Sequence, residues 1–286
     1  MHERAALLAA IDASLRGSTT IPTTDETLRK WHDAAYAKYA RNVEKFRAPS
    51  ELMLRNFQFS YLIETQDGQR LDPNQLPQVL MRVNAEVQDL VRTGWTMFYV
   101  FTVPDVAARF SVDPAIDEGN QDFLECSLLV DVSKRGFGAD TWRVATDGRA
   151  TLIRDYWEDD VRAVPTTGMT PGSWFSPNMM ARSLAEFVRH ARGFAERFKA
   201  PTYVVFRCEW RGLAERVAFD PSVFWRTGQK AIADSRSVTA AFPVAALNNG
   251  WPDIVAELGN PIARLFGIGE VFTPQWVAGQ APIWLR

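Results

Sequence analysis

Three charged side chains that alternate along one predicted strand form the most distinctive chemical pattern in the sequence. Arg207, Glu209 and Arg211 share one side of this strand, and the other side is apolar. Arginine forks bind carboxylates and phosphates in two-point geometry. One interpretation is therefore a ligand or partner site on this face, beside Tyr203 and lined by Trp142. The other is an exposed strand face whose charges pair across neighbouring strands.

A second candidate is a carboxylate in a mostly apolar strand. Glu125 shares a strand face with Asp131, and burial among apolar groups raises the pKa of a carboxyl group towards values useful in acid–base catalysis. The same carboxylate can instead pair with an arginine of a neighbouring strand, for which Arg143, Arg154 and Arg207 are available. We expect the structural pair, and we keep Glu125 with the candidate recognition residues.

Four carboxylates near the end of another predicted strand form the densest acidic cluster. Asp155, Glu158, Asp159 and Asp160 offer the oxygen ligands that Mg²⁺ prefers. An enzyme alternative follows, in which Glu125, Asp155 and Glu158 serve a metal-dependent hydrolase or nuclease. Charge runs usually mark solvated surface, however, and no lysine of a nuclease-like site lies nearby. We therefore expect a solvated exit from the strand, and we predict neither a metal nor another cofactor.

The clearest predicted helix carries a basic face. Arg182, Arg189 and Arg192 lie away from its apolar stripe, which suggests nucleic-acid binding as a further alternative. Glu186 and Glu196 each lie four residues from an arginine, the spacing at which side chains pair on a free helix surface. We therefore favour a solvated face over a surface that contacts DNA.

Composition excludes several classes of protein. The 286 residues include three His and two Cys, all far apart, which leaves no zinc ribbon or finger. The net charge of −2 excludes a uniformly basic protein that coats nucleic acid. That balance hides an asymmetry, because residues 103–160 carry 13 acidic and 6 basic side chains, whereas residues 177–236 carry 6 acidic and 11 basic ones. Such polarity favours a partner protein or self-association.

Neither a secretion signal nor a membrane span is predicted. The N-terminus lacks the long apolar stretch and small-residue cleavage site of a signal peptide. The longest apolar run, 95–103, is about half of the ~20 residues that a spanning helix needs. Two Cys cannot build a disulfide framework, so we expect a reducing, cytoplasmic environment.

The period of the apolar pattern predicts the elements that position these side chains. The expected helices are 4–15, 23–48, 72–93, 177–198 and 251–266. The expected strands are 57–64, 95–102, 122–131, 141–146, 149–157, 203–211, 213–219 and 236–242. The prediction is an α+β fold in which mixed or antiparallel sheets pack with long amphipathic helices. An N-terminal helical arm (1–50) precedes halves at 51–160 and 161–286, which form either two units or one continuous domain.

Several stretches of the sequence resemble one group of bacterial proteins. These stretches are LAEFVRHA at 184–191, VVFRCEWRGL at 204–213, GWTMFY at 94–99, DFLEC at 122–126 and WPDIVAEL at 251–258. Together they resemble the C-terminal, non-DNA-binding region of proteins that carry an AlbA-type, Schlafen-like DNA-binding domain, over residues 50–286. The resemblance implies a role in regulation or defence. No AlbA-type segment precedes these stretches, so DNA binding is not carried over.

These observations favour a non-catalytic sensor or protein-interaction module. The face of Arg207, Glu209 and Arg211 is its best candidate surface for an anionic ligand or a partner protein. The metal-dependent enzyme and the basic helix face stay as alternatives.

Overall fold

The computed structural model describes residues 21–45, 55–87, 115–116, 123–129, 139–160, 167–220, 225–269 and 271–284. In these residues the helices are α1 (Ile21–Lys45), α2 (Leu76–Val87), α3 (Pro177–Ala195), α4 (Ala246–Asn249), α5 (Trp251–Ala263) and α6 (Pro274–Trp284). The strands are β1 (Asn56–Thr65), β2 (Ala115–Ile116), β3 (Phe123–Leu129), β4 (Ala139–Ala145), β5 (Arg149–Asp155), β6 (Trp174–Phe175), β7 (Pro201–Trp210), β8 (Val217–Asp220), β9 (Trp225–Lys230) and β10 (Arg236–Pro243). The α+β class is confirmed.

Seven strands form one antiparallel sheet in the order β10-β7-β1-β5-β4-β3-β2. Because β1 pairs with β7, this sheet joins strands from both of the predicted halves. The remaining strands form a small sheet, β6-β8-β9, in which β6 and β8 run parallel. The sequence pattern predicts β8 correctly as a strand. After the Gly212 turn, however, β8 joins β6 and β9 rather than β7.

One face of the large sheet carries the main core. Phe59 and Tyr61 of β1 and Phe206 of β7 lie on this face, where they contact Phe187 of α3. Helices α2 and α5 both pack against α3 and extend the same core. Alternation places every second residue of a strand on one face, so the aromatic residues of β1 and β7 come together here.

Local signals position several elements correctly. Ser176 caps α3 by accepting the backbone N–H of Met179 at 3.2 Å, with Pro177 as the first helical residue. Gly148 makes the turn between β4 and β5 with a φ of +91°. No element was predicted for the C-terminal segment that forms α6. The helix expected at 4–15 and the strand expected at 95–102 lie outside the described residues.

Candidate functional site

The structure divides the predicted recognition residues between the two faces of the large sheet. Arg207 and Glu209 lie opposite the main core, on the face that α1 covers. Tyr203 shares their side of β7 and is 39% exposed. Trp142 lies on the other face, fully buried in the main core, so the expectation that it lines the same site is wrong. The physical reason is strand alternation, since its neighbour Arg143 is the residue that points towards α1.

A continuous row of polar residues crosses the face under α1. Cross-strand pairing aligns these side chains over six strands in the order Thr239, Arg207, Ser60, Thr151, Arg143 and Glu125. We call the side of the sheet that contains this row, together with Gln58, Ser127, Thr141, Arg149, Asp155, Glu209 and Arg211, the polar sheet face. Arg207 and Glu125 lie four strands apart, which is roughly 19 Å. They therefore share a face without sharing a small-molecule pocket.

Helix α1 packs on the polar sheet face through two small apolar clusters. Leu28 and Trp31 meet Ala145 and Val205 in one cluster. In the other cluster, Ala35, Tyr39 and Val43 of α1 meet Ile153 of β5. Neither cluster shares a residue with the main core. The attachment of α1 is thus separate from the packing that holds the sheet to α2, α3 and α5.

A buried histidine joins α1 to the sheet. The Nδ1 atom of His32 lies 2.8 Å from the hydroxyl of Ser60, and its Nε2 atom lies 3.3 Å from a carboxylate oxygen of Glu209. A carboxylate only accepts hydrogen bonds, so we assign the imidazole proton to Nε2. Nδ1 then accepts from Ser60, whose oxygen in turn accepts from the hydroxyl of Thr151 at 2.6 Å. Gln58 donates to the backbone carbonyl of His32 at 2.7 Å, which holds the helix in register.

Burial, together with the charged groups around His32, favours its neutral form. Burial lowers the pKa of His32, the nearby cations Arg207 and Arg211 lower it further, and the hydrogen bond to Glu209 opposes this shift. Burial by itself raises the pKa of Glu209, but the hydrogen bond from His32 and the charge of Arg211 outweigh it, and the net shift is downward. Arg211 lies 2.8 Å from the Glu209 carboxylate. The docked arrangement therefore favours a neutral imidazole beside an ionised carboxylate.

Aromatic rings of α1 stack on arginines of the sheet. The guanidinium of Arg143 lies 4.3 Å from the ring centre of Trp31, and that of Arg149 lies 4.5 Å from the same ring. Arg211 lies 3.8 Å from the ring centre of Tyr36. Each such contact contributes about 0.5–2 kcal/mol, with the larger value when the cation is desolvated. Trp31 and Tyr36 of α1 thus supply aromatic contacts to three arginines of the polar sheet face, and one of these, Arg143, also lies 4.1 Å from the ring centre of Phe123 in β3.

Glu125 is held by two cations. Arg143 of the neighbouring strand lies 3.3 Å from its carboxylate, and Lys38 of α1 forms a second ion pair with it. The predicted cross-strand pair is confirmed. The lysine was not expected, because α1 is far away in sequence and only the fold brings it to β3.

Ser60, His32 and Glu209 are connected in the same way as a nucleophile, a base and an acid. A triad needs a serine that substrate can reach, with a base beside it. Ser60 and His32 are both 0% exposed, and α1 itself supplies the histidine. Any opening that uncovered Ser60 would carry His32 away with the helix. We therefore interpret this chain of hydrogen bonds as the docking contact of α1.

The structure does not bring together the three carboxylates of the enzyme alternative. Asp155 accepts the hydroxyl of Tyr39 at 2.6 Å, and Glu158 accepts the backbone N–H of Ser176 at 2.7 Å. Asp155 lies four residues, roughly 13 Å along β5, from the row that contains Glu125. Nowhere in the described residues do three or more His, Cys, Asp or Glu side chains come together so that they could hold a metal ion.

The acidic cluster is buried, so the expectation of a solvated strand exit is wrong. Asp155, Glu158, Asp159 and Asp160 are all at most 9% exposed. Arg216, which is itself fully buried, lies 2.7 Å from Asp159 and donates to the backbone carbonyls of Gly212 and Trp174. Burial raises the pKa of Glu158 to about 7. Fifty-seven residues separate Arg216 from Asp159, which is why the local charge pattern did not reveal this pair.

The basic face of α3 is partly engaged within the protein. Arg189 donates to the backbone carbonyl of Glu86 at 3.1 Å, and Arg192 pairs with Glu196 at 3.1 Å as its spacing predicts. Glu186 was expected on the solvated face beside Arg182, but it is only 5% exposed. The charge of Glu186 acts on Arg154 of β5.

The residues of α1 are the part of the site that sequence reasoning missed. The spacing of Trp31, Ala35 and Tyr39 indicates one face of a helix, but it does not indicate which surface that face contacts. The polar residues of β1, Gln58 and Ser60, were the available signal. They alternate with aromatic residues in a strand that proves to be central, and buried polar side chains require partners.

Comparison of the chain with family models, with curated proteins and with solved structures found no match. Among the described residues, no helix combines the length and the apolar character that crossing a bilayer requires.

Proposed function

We propose that this chain is a non-catalytic interaction module that binds an amphipathic helix on its polar sheet face. In the resting state α1 occupies that face, and in the engaged state a helix of a partner protein replaces it. The observation that carries the proposal is the separate attachment of α1, whose two apolar clusters share no residue with the main core. The resemblance in sequence supports a place in a cytoplasmic regulatory or defence system of bacteria.

The chemistry of the face specifies the kind of helix it binds. Arg143, Arg149 and Arg211 present guanidinium groups on which aromatic rings stack, and Trp31 and Tyr36 of α1 supply such rings in the resting state. A competing helix therefore carries aromatic side chains at the spacing found on α1. Docking of an amphipathic helix on a complementary surface is a common mode of recognition, read through anchors on one helical face.

The test uses a labelled synthetic peptide of residues 21–45 and the full chain. The chain's own helix competes with the peptide, so weakening it with the double change Trp31→Ala, Tyr36→Ala is expected to tighten peptide binding at least tenfold. In that background, Arg143→Ala together with Arg211→Ala is expected to weaken binding at least tenfold. Fluorescence anisotropy measures both effects.

The matched control is Ile232→Ala, which truncates a side chain that is 71% exposed and lies between β9 and β10. It is expected to leave peptide binding unchanged, and circular dichroism checks that every variant folds. The proposal fails if the weakened chain does not bind the peptide. It fails equally if binding is the same with and without the two arginines.

A further inference from the structure

Strand β10 forms one edge of the large sheet. Within the described residues, β7 is the only strand that pairs with it. The pairing runs from Arg236 to Pro243 without a change of register. A strand paired on one side only leaves a row of N–H and C=O groups on its other side, which is a template for another strand.

The edge lacks the features that usually prevent pairing between molecules. Natural edge strands are short, bulged, or interrupted by charged residues and prolines. β10 has eight residues, and only its first, Arg236, is charged. Pro243 is its last residue, so both of these residues lie at the ends. The six residues between them are uncharged, which leaves the centre of the strand open to a partner.

The two sides of β10 specify what the partner strand must carry. Val238, Ala240 and Phe242 are partly buried against the main core. Thr239 and Ala241 are exposed on the other side. A partner strand therefore needs apolar side chains on one side and small ones on the other, which is the pattern of β10 itself.

We propose that β10 pairs antiparallel with β10 of a second copy, about a two-fold axis at Ala240. This register places Val238 opposite Phe242 of the second copy and Thr239 opposite Ala241. It leaves Arg236 in solvent beyond the paired residues. Moving the axis by one residue to Thr239 places Arg236 opposite Phe242, which is less favourable because it sets a charge against an apolar side chain. The two seven-stranded sheets then form one continuous sheet.

Disulfide trapping tests the register in the full chain. Facing residues of an antiparallel pair have Cα atoms about 4.5–5.5 Å apart, within the range of a disulfide. Ala240→Cys is therefore expected to form a disulfide-linked dimer at least tenfold faster than Met81→Cys, whose site on α2 is 50% exposed. A mixture of Thr239→Cys and Ala241→Cys chains is expected to link to each other faster than either links to itself. The native Cys126 and Cys208 are buried and give no background.

Light scattering after size exclusion tests association without cysteines. The unmodified chain is expected to show a dimeric mass that falls on dilution. Thr239→Lys changes an exposed side chain and places two lysines beside the axis, so it is expected to give a monomer that keeps its fold. A monomeric mass for the unmodified chain at every concentration overturns the proposal. Two disulfide results also overturn it. One is a disulfide-linked dimer that forms through Cys at position 239 alone, and the other is a dimer that forms through Cys at position 240 no faster than through Cys at position 81.

Discussion

Helices cover both faces of the seven-stranded sheet, but different kinds of interaction hold them on each face. On the main-core face, Phe59, Tyr61 and Phe206 surround Phe187 of α3 in contacts between rings. On the polar sheet face, α1 is held by hydrogen bonds, ion pairs and arginines stacked on rings, with apolar contact confined to two small clusters. Apolar burial stabilises roughly in proportion to area, whereas the net contribution of a hydrogen bond is only about 0.5–1.5 kcal/mol.

This difference indicates that the two faces contribute to different properties of the protein. The main-core face supplies most of the free energy of folding, because it buries large rings in a contiguous cluster. The polar sheet face supplies specificity, because each buried polar group needs one particular partner. A helix attached in the second way can be exchanged at lower cost than one embedded in the first. This contrast is the physical basis for the proposed helix-binding function.

The largest effect is expected from a truncation in the main core. Phe206→Ala removes a fully buried ring that contacts Tyr61, Phe187 and Phe242. We expect the free energy of unfolding to fall by about 3–5 kcal/mol, because the lost burial adds to the cost of a cavity. Urea denaturation measures the change, with the exposed Met81→Ala as control. A loss below 1 kcal/mol would contradict the assignment of the main core to this face.

Glu158 is expected to change the free energy of unfolding by about 3 kcal/mol between low and high pH. Burial raises its pKa from 4.5 to about 7, so the folded state binds the proton more tightly than the unfolded state. Its contribution to stability is therefore present at low pH and is lost as pH rises from about 4.5 to about 7. Glu158→Gln keeps an oxygen that can accept the N–H of Ser176 but does not ionise.

The variant should match the unmodified chain near pH 4 and exceed it in stability near pH 8. Thermal or urea unfolding at both pH values measures the difference. Equal stability at the higher pH would show that the carboxylate is well solvated or fully compensated there.

A smaller and local effect is expected at the polar sheet face. His32→Ala removes the two side-chain contacts of His32 with the sheet and leaves Ser60 and Glu209 without their histidine partner. We expect this change to lower the free energy of unfolding of the α1 region by about 1–3 kcal/mol. Because α1 is separate from the main core, hydrogen exchange should speed up in α1 and stay slow in α3. Uniform acceleration across the molecule would mean that the two faces unfold as one unit.

The smallest effect is expected on the solvent side of α3. Arg192→Ala removes a pair with Glu196 in which both side chains are more than a third exposed. Such pairs at i, i+4 spacing contribute about 0.3–0.5 kcal/mol, and salt screens them. Urea denaturation at low and high ionic strength should show a difference of this size only at low salt. A loss above 1 kcal/mol would indicate that Arg192 has a role in packing.

The strand patterns were predictable where the signal is local. Alternation along β7 correctly placed Arg207, Glu209 and Arg211 on one face and the apolar residues on the other. A pair between Glu125 and an arginine of a neighbouring strand was also predictable from the opposite charges, and the strand pairing selects Arg143 among the three candidates. Resemblance to the AlbA-associated proteins stays a prediction.

Contacts between distant segments were not predictable. The local pattern around Asp159 is that of a solvated residue, but the fold places Arg216 beside it. The sequence did not show which face of the sheet Trp142 points to. The register of β4 with its two neighbouring strands places it on the main-core face. A charge or a ring has the same local pattern whether water or another segment lies against it.

The amino-acid sequence was enough to predict the α+β class, most helices and strands, and the two-sided character of β1 and β7. These properties depend on the spacing of side chains along a single element. Three facts required the fold: α1 lies on the polar sheet face, His32 bridges Ser60 and Glu209, and β10 is an edge of the sheet that the described strands form. These facts depend on which elements pack together, and the free energy of that packing comes from residues that are far apart in the chain. Local patterns along single strands therefore define the two surfaces, and the fold determines which elements cover each of them.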